Sequence, residues 1–101
     1  MLVNRWQAPI LPTRQQMALM LESEGLEPIE ETVPEGPGVA DHRHPFDEVR
    51  IVVSGALHLD IAGNRLLLRA GDRILIPANT RHSKKADGSE ACVCLYAMKA
   101  D

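Results

Sequence analysis

The sequence predicts an all-β domain, an antiparallel sandwich or barrel, with one short helix near its start. From Glu27 onward, seven or eight short β-like runs alternate with turn residues at regular intervals. In ALHLDIA (56–62) every second side chain is apolar, as in a strand with one buried face: Leu57, Leu59 and Ile61. Gly63 and Asn64 then form a two-residue hairpin signal before the next run, RLLLRA.

Residues 1–26 are expected to form an arm and a helix, and residues 27–101 the β domain. Pro9 and Pro12 discourage regular structure, so residues 1–12 are predicted to be irregular. The chain has 101 residues and shows no internal repeat or linker, so we expect a single domain overall.

A helix is predicted near residues 13–25. Thr13 can cap its first turn, and Gly25 is placed to end it. Four side chains give this helix an apolar side: Met17, Leu19, Met20 and Leu21. One helix of this length is too little for a helix-turn-helix, which argues against DNA binding.

Composition excludes several classes of partner. The net charge of -3 provides no basic face for nucleic acid or for an anionic membrane. No segment approaches the roughly 20 apolar residues of a membrane helix, and no signal peptide is apparent. The two cysteines, Cys92 and Cys94, lack the spacing of zinc or redox motifs and are predicted to be free core residues. We therefore expect a cytoplasmic protein that binds neither nucleic acid nor membrane.

The segment HRHPFDE (42–48) holds two of the four histidines. If it is one extended strand, His42 and His44 share a face, and Glu48 keeps the same even spacing. Two imidazoles and a carboxylate directed at one point are the beginning of a metal site.

Two segments with fixed spacings carry a family resemblance. Residues 36–55 read G-x5-H-x-H-x3-E-x6-G, and residues 71–82 read G-x5-P-x4-H, ending at His82. Together they resemble the two motifs of the cupin family, which are small β-barrels of jelly-roll type. The first motif matches at every signature position. The second has Asn79 where the family usually has glycine and Ala86 where it usually has asparagine, although Asn tolerates a left-handed backbone.

The resemblance implies a jelly-roll barrel that holds one divalent metal on His42, His44, Glu48 and His82. Neutral imidazoles with one carboxylate suit Fe, Mn, Ni, Cu or Zn. Four protein ligands leave two positions of an octahedral ion open. The net positive site can attract an anionic substrate or activate a bound water. The fourth histidine, His58, falls on the polar side of its strand and is predicted to lie at the surface.

Alternation from Glu48 predicts that Arg50 and Val52 also point into the barrel. A buried arginine needs a partner. Arg50 forms an ion pair with Asp47, Asp72 or Glu48, or its planar fork holds a substrate carboxylate beside the metal. In the second interpretation Arg50 is a candidate substrate anchor.

The opposite side of the same strand is apolar as well: Val49, Ile51 and Val53. A strand that is apolar on both faces is covered on both. The cover is the edge of the second sheet, the N-terminal helix or another subunit, and the arm around Trp6 can contribute to it. On this basis we predict a homodimer.

Three classes of function fit these observations. The first is a small metal-dependent enzyme, an oxygenase or oxidase that acts on a small anionic molecule. The second is an isomerase or lyase, in which the metal polarises a carbonyl and an inner side chain moves a proton. The third is a non-catalytic module that senses a metal or small ligand. We favour the first because the motif strand offers no second acid or base, and no DNA-binding segment accompanies the domain.

Overall fold

The computed structural model of the protein describes residues 2–99, so Met1, Ala100 and Asp101 lie outside the described residues. The elements in chain order are β1 (Leu2–Asn4), α1 (Arg14–Ser23), β2 (Ile29–Val33), β3 (Val39–His42), β4 (Asp47–Ser54), β5 (Ala56–Ile61), β6 (Asn64–Arg69), β7 (Arg73–Ile76), β8 (His82–Ala86) and β9 (Cys92–Lys99).

The strands form two antiparallel sheets. One has five strands in the order β1-β7-β4-β9-β2, and the other has four in the order β3-β8-β5-β6. Apolar side chains from both sheets meet in one buried cluster, which includes Val52 and Ile74 of the first sheet and Leu57, Leu59 and Leu68 of the second. The predicted all-β jelly-roll fold with one short helix is confirmed, and the eight strands β2–β9 of the described residues agree with the seven or eight predicted from Glu27 onward, whereas β1 was not predicted.

The start of the chain was predicted to be irregular, but residues 2–4 form β1, an edge strand of the five-stranded sheet that pairs with β7. Leu2 lies opposite Leu75 and Asn4 opposite Arg73 in an antiparallel ladder. The prediction was wrong for residues 2–4 because the prolines restrict the backbone only from Pro9 onward. The β1 ladder satisfies backbone groups of β7 that an open sheet edge would leave unpaired.

The helix begins and ends as its sequence predicts. Thr13 Oγ1 accepts from the backbone N–H of Gln16, and Gln16 Oε1 accepts from the N–H of Thr13, which together form a capping box. Gly25, with φ of +80°, follows the last turn. Within residues 2–99, no helix is long and apolar enough to span a membrane.

Helix α1 covers the outer face of β4. Met17 and Leu21 are buried against Val49, Ile51 and Leu95. Leu19 and Met20 lie outside this contact and are 62% and 39% exposed. Of the four predicted apolar side chains, only the i, i+4 pair Met17 and Leu21 is buried in this contact, to which Ala18 also contributes. Of the three covers considered for the apolar face of β4, the structure shows the N-terminal helix of the same chain, so this face no longer supports the prediction of a dimer.

The β5–β6 hairpin turns one residue earlier than predicted. Ile61 pairs directly with Asn64, so Ala62 and Gly63 form the turn, with φ of +51° and +89°. A two-residue turn of this hand needs positive φ at both positions, and Gly63 supplies the second at no steric cost. Asp60 Oδ1 accepts from the Gly63 N–H at 3.0 Å and holds the turn.

Candidate metal centre

Three histidines, two from the first motif segment and one from the second, lie close together. His42 ends β3 and His82 begins β8, and the two are direct partners in the four-stranded sheet. His44 lies in the loop after β3. The ring centroid of His42 lies 4.7 Å from that of His44 and 4.3 Å from that of His82. One ligand atom from each of the three lies within 4.8 Å of the others.

The segment HRHPFDE is not one extended strand, which was the condition for His42, His44 and Glu48 to share a strand face. β3 ends at His42, and β4 begins at Asp47 in the other sheet. Pro45 lies between them and cannot donate to a ladder, so the strand is interrupted there. Glu48 therefore approaches the histidines from the opposite sheet and not from the same strand face.

Hydrogen bonds to the backbone select the nitrogen that each strand histidine presents. His42 Nδ1 lies 2.8 Å from the carbonyl oxygen of Ala40, and His82 Nδ1 lies 2.9 Å from that of Thr80. A carbonyl only accepts, so in the neutral rings Nδ1 carries the proton and Nε2 keeps its lone pair. This is the arrangement of metal-ligating histidines, whose second nitrogen donates to a carbonyl or carboxylate. The donor set therefore fits a divalent transition metal.

The two motif segments are joined by two hydrogen bonds. The N–H of Asn79 donates to the carbonyl oxygen of His44 at 2.6 Å, and that of Ala78 donates to Asp47 Oδ1 at 2.8 Å. Asn79 has φ of +60°, the left-handed conformation that Asn tolerates. The departure from glycine at position 79 is thus compatible with the turn, which ties the His44 loop to the segment that leads into His82.

His44 is held in its neutral form. Its ring stacks on Phe46 at 4.9 Å with an angle of 9° between the planes. Burial lowers the pKa of His44, and His42 and His82 lower it further, whereas the carboxylate of Glu48 opposes the change. The net effect is a pKa below the usual value, so a metal ion meets little competition from protons at this ring near neutral pH.

Arg50 orients Glu48. Its Nε donates to Glu48 Oε2 at 2.8 Å, and the arginine is only 1% exposed. The other oxygen, Oε1, lies 3.5 Å from His44 Nε2. The oxygen nearest the histidines is thus the one that Arg50 leaves free. The predicted inward orientation of Arg50 and its ion pair with Glu48 are confirmed, and its role as a substrate anchor stays a prediction.

Two charged residues near Arg50, Glu31 and Lys84, were not predicted from the sequence. Glu31 Oε1 lies 2.7 Å from Arg50 Nη1 and 2.6 Å from Lys84 Nζ. Burial alone would raise the pKa of Glu31, but Lys84 and Arg50 outweigh it and hold the carboxyl in its charged form. Alternation from His82 along HSKKA would have placed Lys84 inside, since β8 buries every second residue.

The remaining candidates lie where they were expected. His58 is exposed and pairs with Asp87 at 2.6 Å, away from the other histidines. Cys92 and Cys94 are free and fully buried, with sulfur atoms 3.7 Å apart. The hydrogen bond from Cys92 and the nearby guanidinium of Arg50 lower the pKa of Cys94, whereas burial opposes this effect.

Two curated proteins match part of the chain. The polyketide synthase CurC of Streptomyces cyaneus is 36% identical over 56 residues, which cover 54% of this chain and 36% of that protein. The acireductone dioxygenase of Serratia proteamaculans (strain 568) is 46% identical over 48 residues, which cover 44% of this chain and 27% of that protein. The matched segments thus span 36% and 27% of the length of those two relatives.

Solved structures share the fold. KdgF from Halomonas sp. has a TM-score of 0.64 and 23% identity, over 75% of this chain and 71% of that one. FeII HppE in complex with substrate has a TM-score of 0.64 and 18% identity, over 74% and 46%. The family model for the cupin domain matches residues 29–98. Since that match spans well over half of the chain, the protein belongs to the cupin domain family.

Proposed function

We propose that the protein binds one divalent transition metal on His42, His44, His82 and Glu48, and that it is a small metal-dependent enzyme of the oxygenase or oxidase type. The observation that carries the proposal is the convergence of three histidines, with the Nδ1 atoms of His42 and His82 at backbone carbonyls. Such hydrogen bonds orient imidazole ligands and raise their basicity.

The relatives support this reaction class. One matched protein is named a dioxygenase, and one structural neighbour is described with Fe(II) and its substrate. A divalent transition metal held by these residues would supply Lewis-acid or redox chemistry for a small molecule and for O₂ or water.

The charges inside the barrel favour an anionic substrate. Arg50 and Lys84 are balanced by Glu48 and Glu31, so these four side chains carry no net charge. A divalent ion bound by three neutral histidines therefore adds uncompensated positive charge. An anion restores the balance, and the buried guanidinium of Arg50, which contacts Glu48, is a group that can orient it.

The first experiment is elemental analysis of protein purified without added metal, followed by oxygen-uptake assays with small organic acids and thiols. Iron or manganese at close to one ion per chain, with oxygen uptake, is the expected result. Stoichiometric metal without turnover would instead support a non-catalytic sensor. Failure to bind Mn, Fe, Ni, Cu or Zn after chelation and reloading would contradict the proposal itself.

A further inference from the structure

Two buried cations converge on one carboxylate oxygen beside the candidate metal centre. Arg50 Nη1 and Lys84 Nζ lie 2.7 Å and 2.6 Å from Glu31 Oε1. The side chains of Arg50 and Lys84 are 1% and 9% exposed, whereas that of Glu31 is 30% exposed. The two positive groups are therefore fixed inside the barrel, and the negative group that joins them reaches solvent.

The guanidinium of Arg50 is not fully used by its present partners. Its Nη1 is buried and has no aligned hydrogen-bond acceptor within residues 2–99, although Glu31 Oε1 is near in distance. A guanidinium binds a carboxylate most strongly through two parallel N–H···O bonds. Glu31 does not reach that geometry. The ring of Tyr96, with its centroid 5.0 Å from Arg50 Cζ, supports the guanidinium from one side.

The side chain of Glu31 has room to move away from Arg50 and Lys84. Its strand, β2, is an edge of the five-stranded sheet, and β3 is an edge of the four-stranded sheet. A cleft of about 220 Å³ is lined by β2 and by the segment that leads from β2 into β3, with Glu31, Val33, Gly38 and Val39 among its residues. A partly exposed side chain at such a cleft can rotate towards water without disturbing the apolar core.

We propose that Arg50 and Lys84 form a binding site for the carboxylate of a small ligand, and that Glu31 occupies this site as an internal anion until the ligand displaces it. Glu31 is itself a carboxylate and shows which chemistry the two cations accept. The identification of this ligand with the substrate rests on the proposed function, whereas the site itself needs no metal. Because Glu31 competes with every incoming anion, it selects ligands that gain a second contact elsewhere in the barrel.

The test uses metal-free protein and acetate as the probe, with neutral acetamide as its control, followed by NMR at constant ionic strength. Glu31→Gln should bind acetate at least about tenfold more tightly than the wild type, since charge-assisted hydrogen bonds to the freed cations become available. Adding Lys84→Met should remove this gain. Adding Lys85→Met, which alters the exposed neighbour of Lys84, should preserve it.

Two results would overturn the proposal: a folded Glu31→Gln protein that binds acetate no better than the wild type, or a gain that survives Lys84→Met. If Glu31→Gln does not fold, Glu31→Ala provides the second measurement. Acetate should raise its unfolding temperature and acetamide should not, and equal effects of the two would count against the site. Since no metal is present, these results are independent of whether the histidines bind one.

Discussion

His42 and His82 are direct cross-strand partners, and each places its Nδ1 against the carbonyl oxygen two residues before it. The two rings, with centroids 4.3 Å apart, are thus oriented by the same local hydrogen bond on two different strands. Because a carbonyl oxygen only accepts, each bond favours the tautomer with the proton on Nδ1, and both rings keep the Nε2 lone pair for a metal. The pair forms the part of the centre that the sheet itself makes rigid.

The first prediction concerns the metal ligands. Replacing His44 by Ala should lower the affinity of the metal-free protein for Mn, Fe, Ni, Cu or Zn by at least about tenfold to a hundredfold, since even residues that only support ligands have effects of that size. Titration calorimetry measures it. His58→Ala is the matched control, because His58 is exposed and pairs only with Asp87. Equal losses in the two variants would refute the site.

The second prediction concerns pH. Metal affinity should fall as the pH decreases from about 7 to about 5, because protons and metal compete for the imidazole lone pairs. Burial lowers the pKa of His44, so competition at this ring begins below the usual histidine range. Competition with a chelator at each pH gives the affinity, and circular dichroism shows whether the protein stays folded. Constant affinity over this range in folded protein would exclude the histidines as ligands.

The third prediction is that Asp72 anchors the N-terminal arm. Its carboxylate accepts from the backbone N–H groups of Trp6 and Arg69 and from Arg5. Burial would raise the pKa of Asp72, but these donors outweigh it and lower the pKa. The charged carboxylate thus stabilises the fold at any pH above the ordinary aspartate pKa of about 3.9. This contribution is lost as the pH falls through the lower pKa of Asp72 in the folded protein.

Asp72→Asn should therefore lower the free energy of unfolding at neutral pH by about 1–3 kcal/mol. It should also change the fluorescence of Trp6, the single tryptophan. Asp87→Asn, at an exposed ion pair, is the control and should change stability by no more than about 0.5 kcal/mol. Unchanged stability and fluorescence in Asp72→Asn would show that the arm is held by other contacts.

The fourth prediction concerns the cover that α1 provides. Leu21 is fully buried against the outer face of β4, so Leu21→Ala should destabilise the protein by about 2–5 kcal/mol. Leu19→Ala, on the same helix but 62% exposed, should cost no more than about 0.5 kcal/mol. Urea unfolding followed by circular dichroism compares the two. Similar losses would mean that helix propensity, and not this packing contact, determines the effect.

The fifth prediction is a homodimer, now based on the arm alone. Ile10 and Leu11 are 82% and 48% exposed, and Trp6 is 36% exposed. Apolar side chains clustered at the surface favour an interface. Sedimentation at low micromolar concentration should show a species of twice the 11.1 kDa chain mass, and Ile10→Asp should shift it towards the monomer. An 11.1 kDa species for the wild type would contradict the dimer.

Local patterns in the chain were sufficient for several elements. The helix could be predicted from Thr13 and Gly25 because capping depends on residues within one turn. The inward direction of Arg50 followed from alternation along one strand. The β5–β6 turn was misplaced by one residue, since the pairing of Ile61 with Asn64 is set by the whole ladder and not by the dipeptide.

The sequence by itself determined the fold class and the helix, because period and capping are properties of nearby residues. The grouping of His82 with His42 and His44 was implied by the resemblance of two separate segments to the cupin motifs. Only the tertiary structure decided that β1 pairs with β7, that α1 covers β4, and that Glu48 faces the histidines from the opposite sheet. It also decided that Glu31 lies between Arg50 and Lys84. These contacts join residues far apart in the chain, and their selection depends on burying apolar area and pairing charge over the whole molecule, which no local pattern encodes.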